Sequence, residues 1–280
     1  MLAGGVLLGT LGVFVEEAGQ HPLTTVWFRC LFGAFSLLTW GTWTGRLHEL
    51  RLTAPQWRRV VLAGVLAVLN WALFFAAIAR TSIAVSTVVF HVQPLWVMAA
   101  GAWLLRERVA RAQWAAAGLA LIGLALAAGL AEPGARAAQW STSYLVGLAM
   151  CLGGSLSYAA VTLIAKSSQG VSAYALALGQ CVVGVVVLAW WPVWHGWPAV
   201  GSAWLWLAGL GVLHTGLAYV LLYAGMARLP AARIGMLQFV YPGAAVLMDW
   251  LVYGRALGAV QLAGVALMAV ALLAVRPARQ

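Results

Sequence analysis

Ten apolar runs follow one another along this chain with only short polar stretches between them. They fall at roughly 1–15, 22–43, 57–79, 82–105, 112–130, 142–163, 173–191, 203–226, 231–253 and 258–275. A helix that crosses the ~30 Å hydrocarbon layer of a bilayer needs about 20 mainly apolar residues. Apolar residues make up 64% of the chain and charged residues 8%, where soluble domains average about 25% charged. Such a chain lacks the polar surface to stay in water. The expected fold is an all-α integral membrane protein with ten transmembrane helices. The first run has no basic leader and no clear small-residue cleavage site, so it is expected to be a span rather than a signal-peptide core.

The fourth and ninth runs carry one signature. Ala79-Arg80 precedes a run containing Pro94, and Ala227-Arg228 precedes a run containing Pro242. Val92 with Val240 and Gln113 with Gln261 keep the same offset without a gap. An internal repeat in a membrane protein is the usual mark of a transporter. The expected halves are 1–139 and 140–280, joined through a stretch holding Pro133 and Gly134.

Loop charges orient the runs. With the N-terminus in the cytoplasm, the inner side holds Arg46, Arg51, Arg58, Arg59, Arg106, Arg108, Arg111, Lys166, Arg228, Arg233, Arg276 and Arg279. The outer side holds Arg80, Arg136 and Arg255. Basic residues favour the cytoplasmic side, so both termini are expected inside. Five spans per half is an odd number, which turns the second half upside down and leaves a central cavity between the halves. The net charge of +10 is therefore a topology signal, and no nucleic-acid partner is expected. The tryptophans at the run ends, such as Trp43, Trp103 and Trp194, read as an interfacial belt. Trp71 and Trp96 fall near mid-span and need another account.

Pro94 and Pro242 each free a carbonyl four residues back, on Phe90 and Gln238, and are the expected hinges. Polar groups in a bilayer face the bundle interior or a wet cavity. On that ground the substrate-binding candidates are Asn70, Trp71 and Phe75 of the third run, and His91, Gln93 and Trp96 of the fourth. Ser155 and Tyr158 come from the sixth, beside Ser157 and Thr162. His214 and Tyr219 come from the eighth, beside Thr215 and Tyr223, and Gln238 and Tyr241 from the ninth. This predicts a cavity of rings, amides and hydroxyls with almost no fixed charge. A sugar phosphate would need basic pairs there, and a cationic drug a carboxylate. A zwitterion with an apolar side chain suits it better, its ammonium meeting carbonyls and ring faces.

Two charges lie inside runs, Arg29 and Asp249. By depth they are an expected ion pair or outer gate, with Glu16 or Glu17 as alternative partners for Arg29. No carboxylate sits at mid-depth, so a built-in proton-coupling group is not expected. Cys30, Cys151 and Cys181 lie within apolar runs without CxxC spacing and read as small buried hydrophobes. No metal or cofactor is expected. HExxH, GxSxG and P-loop motifs are lacking, and Glu16-Glu17 with His21 does not complete an EExxxR protease pattern. No filter or charge ring of a channel is visible.

Taken together, ten short spans and a duplicated five-helix unit resemble the drug/metabolite transporter superfamily, in its EamA-like branch. The first half shows Pro94, then Arg106-Glu107-Arg108, then Gln113 followed by Gly118. The second shows Pro242, Gly254-Arg255, then Gln261 with Gly264, so that Arg255 stands opposite Glu107. Trp27-Phe28-Arg29 also looks like the family's. Within the branch the ring-rich cavity is most similar to that of bacterial aromatic amino-acid exporters. The resemblance implies a cavity lined by spans 1, 3, 4, 6, 8 and 9, with spans 5 and 10 peripheral. It implies alternating access by rocking of helix groups; a bacterial inner membrane, a small-molecule substrate and a monomeric state are further expectations. Amino acids are the expected cargo; cationic drugs or other small metabolites are the alternative.

Overall fold

The structure, a computed structural model, describes residues 1–78, 80–81, 83–131, 141–254 and 258–274, apart from the side chains of Ile83 and Ala84. Ala79, Pro133, Gly134, Arg136, Arg255, Arg276, Arg279 and the boundary at 139/140 lie outside the described residues. The described regular structure is helical. The first run is α1 (Leu2–Gly9) and α2 (Leu11–Ala18), interrupted at Thr10. Then come α3 (Pro22–Trp43), a 3-10 turn (Arg46–Leu50) and α4 (Ala54–Ile78). The fourth run is α5 (Ile83–Phe90) and α6 (Gln93–Leu104), followed by α7 (Arg111–Ala127). The second half holds α8 (Thr142–Ser167), α9 (Ala173–Val187) and the short α10 (Trp190–His195). Its eighth run is α11 (Ala203–Gly209), a π-helical segment (Leu210–Leu217) and α12 (Ala218–Met226). The chain closes with α13 (Ala231–Gln238), α14 (Val240–Tyr253) and α15 (Ala259–Ala274).

Six of these runs are long and apolar enough to cross a membrane: 22–43, 54–78, 85–104, 142–167, 203–226 and 231–253. α7, α9 and α15 are shorter, with 17, 15 and 16 residues. At a rise of ~1.5 Å per residue they reach only about 22–26 Å, just under a thin hydrocarbon layer of ~27 Å.

Local chemistry explains the helix starts. Pro22 occupies the first turn of α3, where its missing N–H loses nothing, and His21 Nδ1 accepts from Leu23 N at 3.2 Å. Ser141 and Ser172 cap α8 and α9 by accepting from Tyr144 N and Ala175 N. The repeated glutamines have matching jobs. Gln113 Oε1 accepts from Ala110 N at 2.8 Å and Gln261 Oε1 from Gly258 N at 2.9 Å. Each side chain reaches back from the third helical position to the first orphan amide. Just before these caps, Arg106 (φ 53°) and Gly254 (φ 62°) take the left-handed conformation at equivalent positions. The repeat is therefore one of backbone geometry as well as of sequence. Glycine suits that conformation; Arg106 adopts it with a Cβ to accommodate.

The packing repeats too. With the helical runs numbered in order, the third packs on the sixth as the eighth packs on the first. The second meets the eighth as the seventh meets the third, and the first meets the ninth as the sixth meets the fourth. The second with the seventh, the fourth with the ninth and the fifth with the tenth pair across the halves. Exchanging each run for the one five places along leaves these contacts unchanged.

Small residues set the closest approaches, as they do where helices associate without a hydrophobic drive. A Cβ at Gly9 would stand 2.4 Å from that of Ala244, so Gly5 and Gly9 let α1 settle on α14. A Cβ at Gly264 would stand 2.4 Å from Ala127 N and 2.5 Å from Gly123 O, which brings α15 onto α7 backbone to backbone. Cys30, Cys151 and Cys181 are buried thiols. At one end Glu107 ties the halves together. It pairs with Lys166 at 2.8 Å and accepts from Ala231 N at 2.6 Å, while Lys166 also donates to Leu229 O. Gly264→Leu is expected to part α7 from α15 and lower stability by about 1–3 kcal/mol. Thermal unfolding in detergent measures this, and an unchanged midpoint would rule out the close contact.

Candidate functional site

Pro94 and Pro242 are expected to kink two helices, and at both the helix pattern lapses for one or two residues while the backbone stays right-handed at Val92 and Phe239. α5 ends at Phe90 and α6 begins at Gln93, with His91 and Val92 between. α13 ends at Gln238 and α14 begins at Val240, with Phe239 between. Each proline then sits in the first turn of the restarted helix, where no backbone donor is required of it. The two interruptions face each other. The His91 ring lies 5.6 Å from that of Tyr241 and 6.5 Å from that of Phe239, its equivalent in the repeat. From either side Gln93 Nε2 and Gln238 Nε2 donate to one acceptor, Thr162 Oγ1 of α8, at 3.4 and 3.2 Å. Gln238 Oε1 is buried with no hydrogen-bond partner.

A second group of side chains forms around Arg29. The π-helical segment lets Thr215 Oγ1 donate to the carbonyl of Leu210, five residues back, at 3.0 Å. The same hydroxyl accepts from Arg29 Nε at 3.0 Å. The guanidinium carbon lies 4.7 Å from the centre of the Trp71 ring and 6.0 Å from that of Tyr219. Those two rings are stacked 6.3 Å apart, and Tyr219 leads on to Tyr223 at 5.5 Å. The Tyr223 hydroxyl donates to Gln180 Oε1, leaving Gln180 Nε2 buried without a partner.

This placement corrects the expectation of a nearly charge-free centre. Arg29 has 3% of its surface exposed and is held by Thr215, Trp71 and Tyr219. Asp249 lies half-buried on α14. The depth of Arg29 along α3 was legible in the sequence, but the face it occupies follows from how α3 packs on the π-helical segment.

Other candidates fall around these two groups. The Tyr158 ring lies 6.1 Å from Phe90, which packs on Phe74 at 5.0 Å. Asn70 is buried and its Oδ1 has no partner. Phe75 packs half-buried on the larger apolar cluster. Trp96 Nε1 donates to Ser155 Oγ at 3.1 Å across the α6–α8 contact and stays 38% exposed. His214 precedes Thr215 on the π-helical segment. Its Nε2 is 2.7 Å from Thr10 Oγ1, at the interruption of the first run, and its ring packs on Phe14. Gln180 and Thr10 were missed. A lone amide in the seventh run and a lone hydroxyl halfway along the first were the available signals.

Two cavities lie toward opposite ends of the helices. One of about 220 Å³ is bounded by Ala165, Ser172, Leu176, Tyr223 and Arg228. The other, of about 460 Å³, is bounded by Gln20, His21, Thr24, Trp191, His195 and Trp197. Neither is lined by Trp71, His91 or Tyr241. In this conformation the side chains of the middle layer meet one another. Tyr223 joins the first cavity to the ring series beside Arg29. Thr162→Val combined with Gln93→Leu should show the shared hydroxyl as a coupling of at least about 0.5 kcal/mol in a double-mutant cycle. Strict additivity of the two single losses would sink the bridging role.

A model of the EamA-like transporter family matches residues 1–129 and again 145–276. An uncharacterized transporter of Archaeoglobus fulgidus is 28% identical over 274 residues, covering 96% of this chain and 92% of its own. The uncharacterized transporter YxxF of Bacillus subtilis is 24% identical over 254 residues, covering 89% of this chain and 79% of its own. A solved crystal structure shares the fold, with a TM-score of 0.83 at 20% identity over 97% of this chain and 94% of that one. The duplicated match falls on the same halves that the interruptions, the glutamine caps and the paired contacts define, and the chain belongs to the EamA-like transporter family.

Proposed function

We propose that this secondary transporter of small molecules exports amino acids, aromatic or otherwise neutral, by alternating access across the inner membrane of a prokaryotic cell. One observation carries the reading. Two helices, one from each half, are interrupted at the same place and meet at His91, Phe239 and Tyr241, with both neighbouring amides on Thr162. In lipid, backbone freed by an interruption is tolerated only where it is buried in protein or lines a cavity. Substrate sites of secondary transporters are built at such places, at the interface of the repeats.

In this reading the chain makes ten crossings as two inverted halves, 1–139 and 140–280, with both termini cytoplasmic. Pro94 and Pro242 mark the hinges. The end holding Lys166 and Arg228 is then cytoplasmic, and the Glu107–Lys166 contact holds it closed. The cavity beside His21 and Trp191 lies at the outer end. Rings supply the walls through Trp71, Tyr158, Tyr219 and Tyr241, and amides the polar contacts. Cationic drugs are disfavoured, because a buried arginine beside the rings repels them.

Counterflow in proteoliposomes tests this. Labelled phenylalanine should accumulate when unlabelled phenylalanine is trapped inside, without an imposed gradient. Alanine in place of Trp71, His91 or Tyr241 should slow exchange by about 3- to 10-fold each, the value of one aromatic contact. Wild-type rates in all three would place the substrate elsewhere, and exchange of organic cations but no amino acid would overturn the assignment.

A further inference from the structure

We propose that Arg29 binds the carboxylate of the transported molecule, which makes the site selective for small carboxylates with an apolar or aromatic body. This rests on the reading of the central rings as the substrate site. Arg29 is buried, with 3% of its surface exposed. Its Nε is used by Thr215, and its Nη2 has no hydrogen-bond partner at all. A buried cation with an unused donor is destabilising unless an anion or acceptor completes it. The two rings beside it, Trp71 and Tyr219, reduce the penalty by offering their faces, but they leave the N–H vacant.

The surroundings fit one ligand class. A carboxylate accepts from a guanidinium fork in the plane of the fork, with short charge-assisted hydrogen bonds. A monoanion would neutralise one arginine, whereas a phosphate dianion would leave a charge uncompensated. The ring pair lies against the same guanidinium, so a body attached to the carboxylate through one or two carbons meets Trp71 or Tyr219. The π-helical segment has a role here. It turns Thr215 toward Arg29 Nε and so fixes the guanidinium with Nη2 unoccupied. Phenylalanine satisfies both halves of the description. Its carboxamide keeps the shape and loses the charge, and phenethylamine loses the group altogether.

The test compares these three probes as competitors of labelled phenylalanine in counterflow by the reconstituted full chain. With wild type the carboxamide and the amine should compete at least ~10- to 100-fold more weakly than the acid, the range expected for hydrogen bonds to a charged group. Arg29→Gln should raise the half-saturating phenylalanine concentration by a similar factor and bring acid and carboxamide within about 3-fold of each other. Arg29→Lys, which keeps the charge but not the fork, should fall between. If Arg29→Gln is too unstable to reconstitute, the wild-type ranking and the Arg29→Lys ranking decide. Loss of acid selectivity in the lysine variant supports the anchor.

A purely structural arginine gives a different outcome, with slower or less stable variants that still prefer the acid as strongly as wild type does. That result overturns the proposal. Equal competition by acid and carboxamide in wild type also overturns it, while leaving the ring cluster standing as the substrate site. Failure of wild type to exchange any amino acid overturns both.

Discussion

Backbone groups released inside a membrane must find partners within the protein, and this constraint organises the molecule. Among the described residues, three runs are interrupted, at Thr10, at His91–Val92 and at Phe239. None of them could face lipid without exposing polar groups to hydrocarbon. They are turned inward against other polar elements instead. Thr10 meets His214, and the second and third interruptions meet each other and Thr162. The wide π-helical turn of the eighth run is handled the same way, by Thr215 and Arg29. The middle of the protein is polar because that is where irregular backbone can be tolerated.

The repeat supplies a scaffold on which the halves then diverge. Shared features are those of the backbone: the glutamine caps, the left-handed residues at Arg106 and Gly254, the interruptions and the prolines. The side chains placed on that scaffold differ. His91 stands opposite Phe239, and Gln93 opposite Tyr241, so the halves bring different side chains to equivalent positions. Glu107 also has no acidic counterpart; it caps α13 and pairs with Lys166, binding the first half to two elements of the second. A symmetric frame can rock, while asymmetric side chains can distinguish one end of a substrate from the other.

Much of the candidate site was visible before folding. Polar and aromatic residues in apolar runs are few, and bilayer energetics forces them inward, so Trp71, His91, Gln93, Tyr219, Gln238 and Tyr241 could be named from position alone. Which of them meet could not. His214 shares a run with Tyr219, yet its ring meets Thr10 Oγ1 at the break in the first run. Trp96 lies near mid-span, yet it is tied to Ser155 at a partly exposed helix contact. Gln180 was overlooked as one amide in a long apolar run, and it terminates the ring series through Tyr223.

The sequence by itself determined the membrane class, the helical runs, their duplication and the position of the two proline kinks. These follow from composition, from length against bilayer thickness, and from local backbone preferences of proline, glycine and capping residues. Only the tertiary structure decided where the charge goes. For Arg29 the sequence supplied only depth along α3. The packing of α3 on the π-helical segment sets it against Thr215, Trp71 and Tyr219. Hydropathy measures depth but carries no angular information about which neighbour a side chain faces. Interhelical geometry is set by close contacts between distant residues, and those contacts fixed the direction of the Arg29 guanidinium.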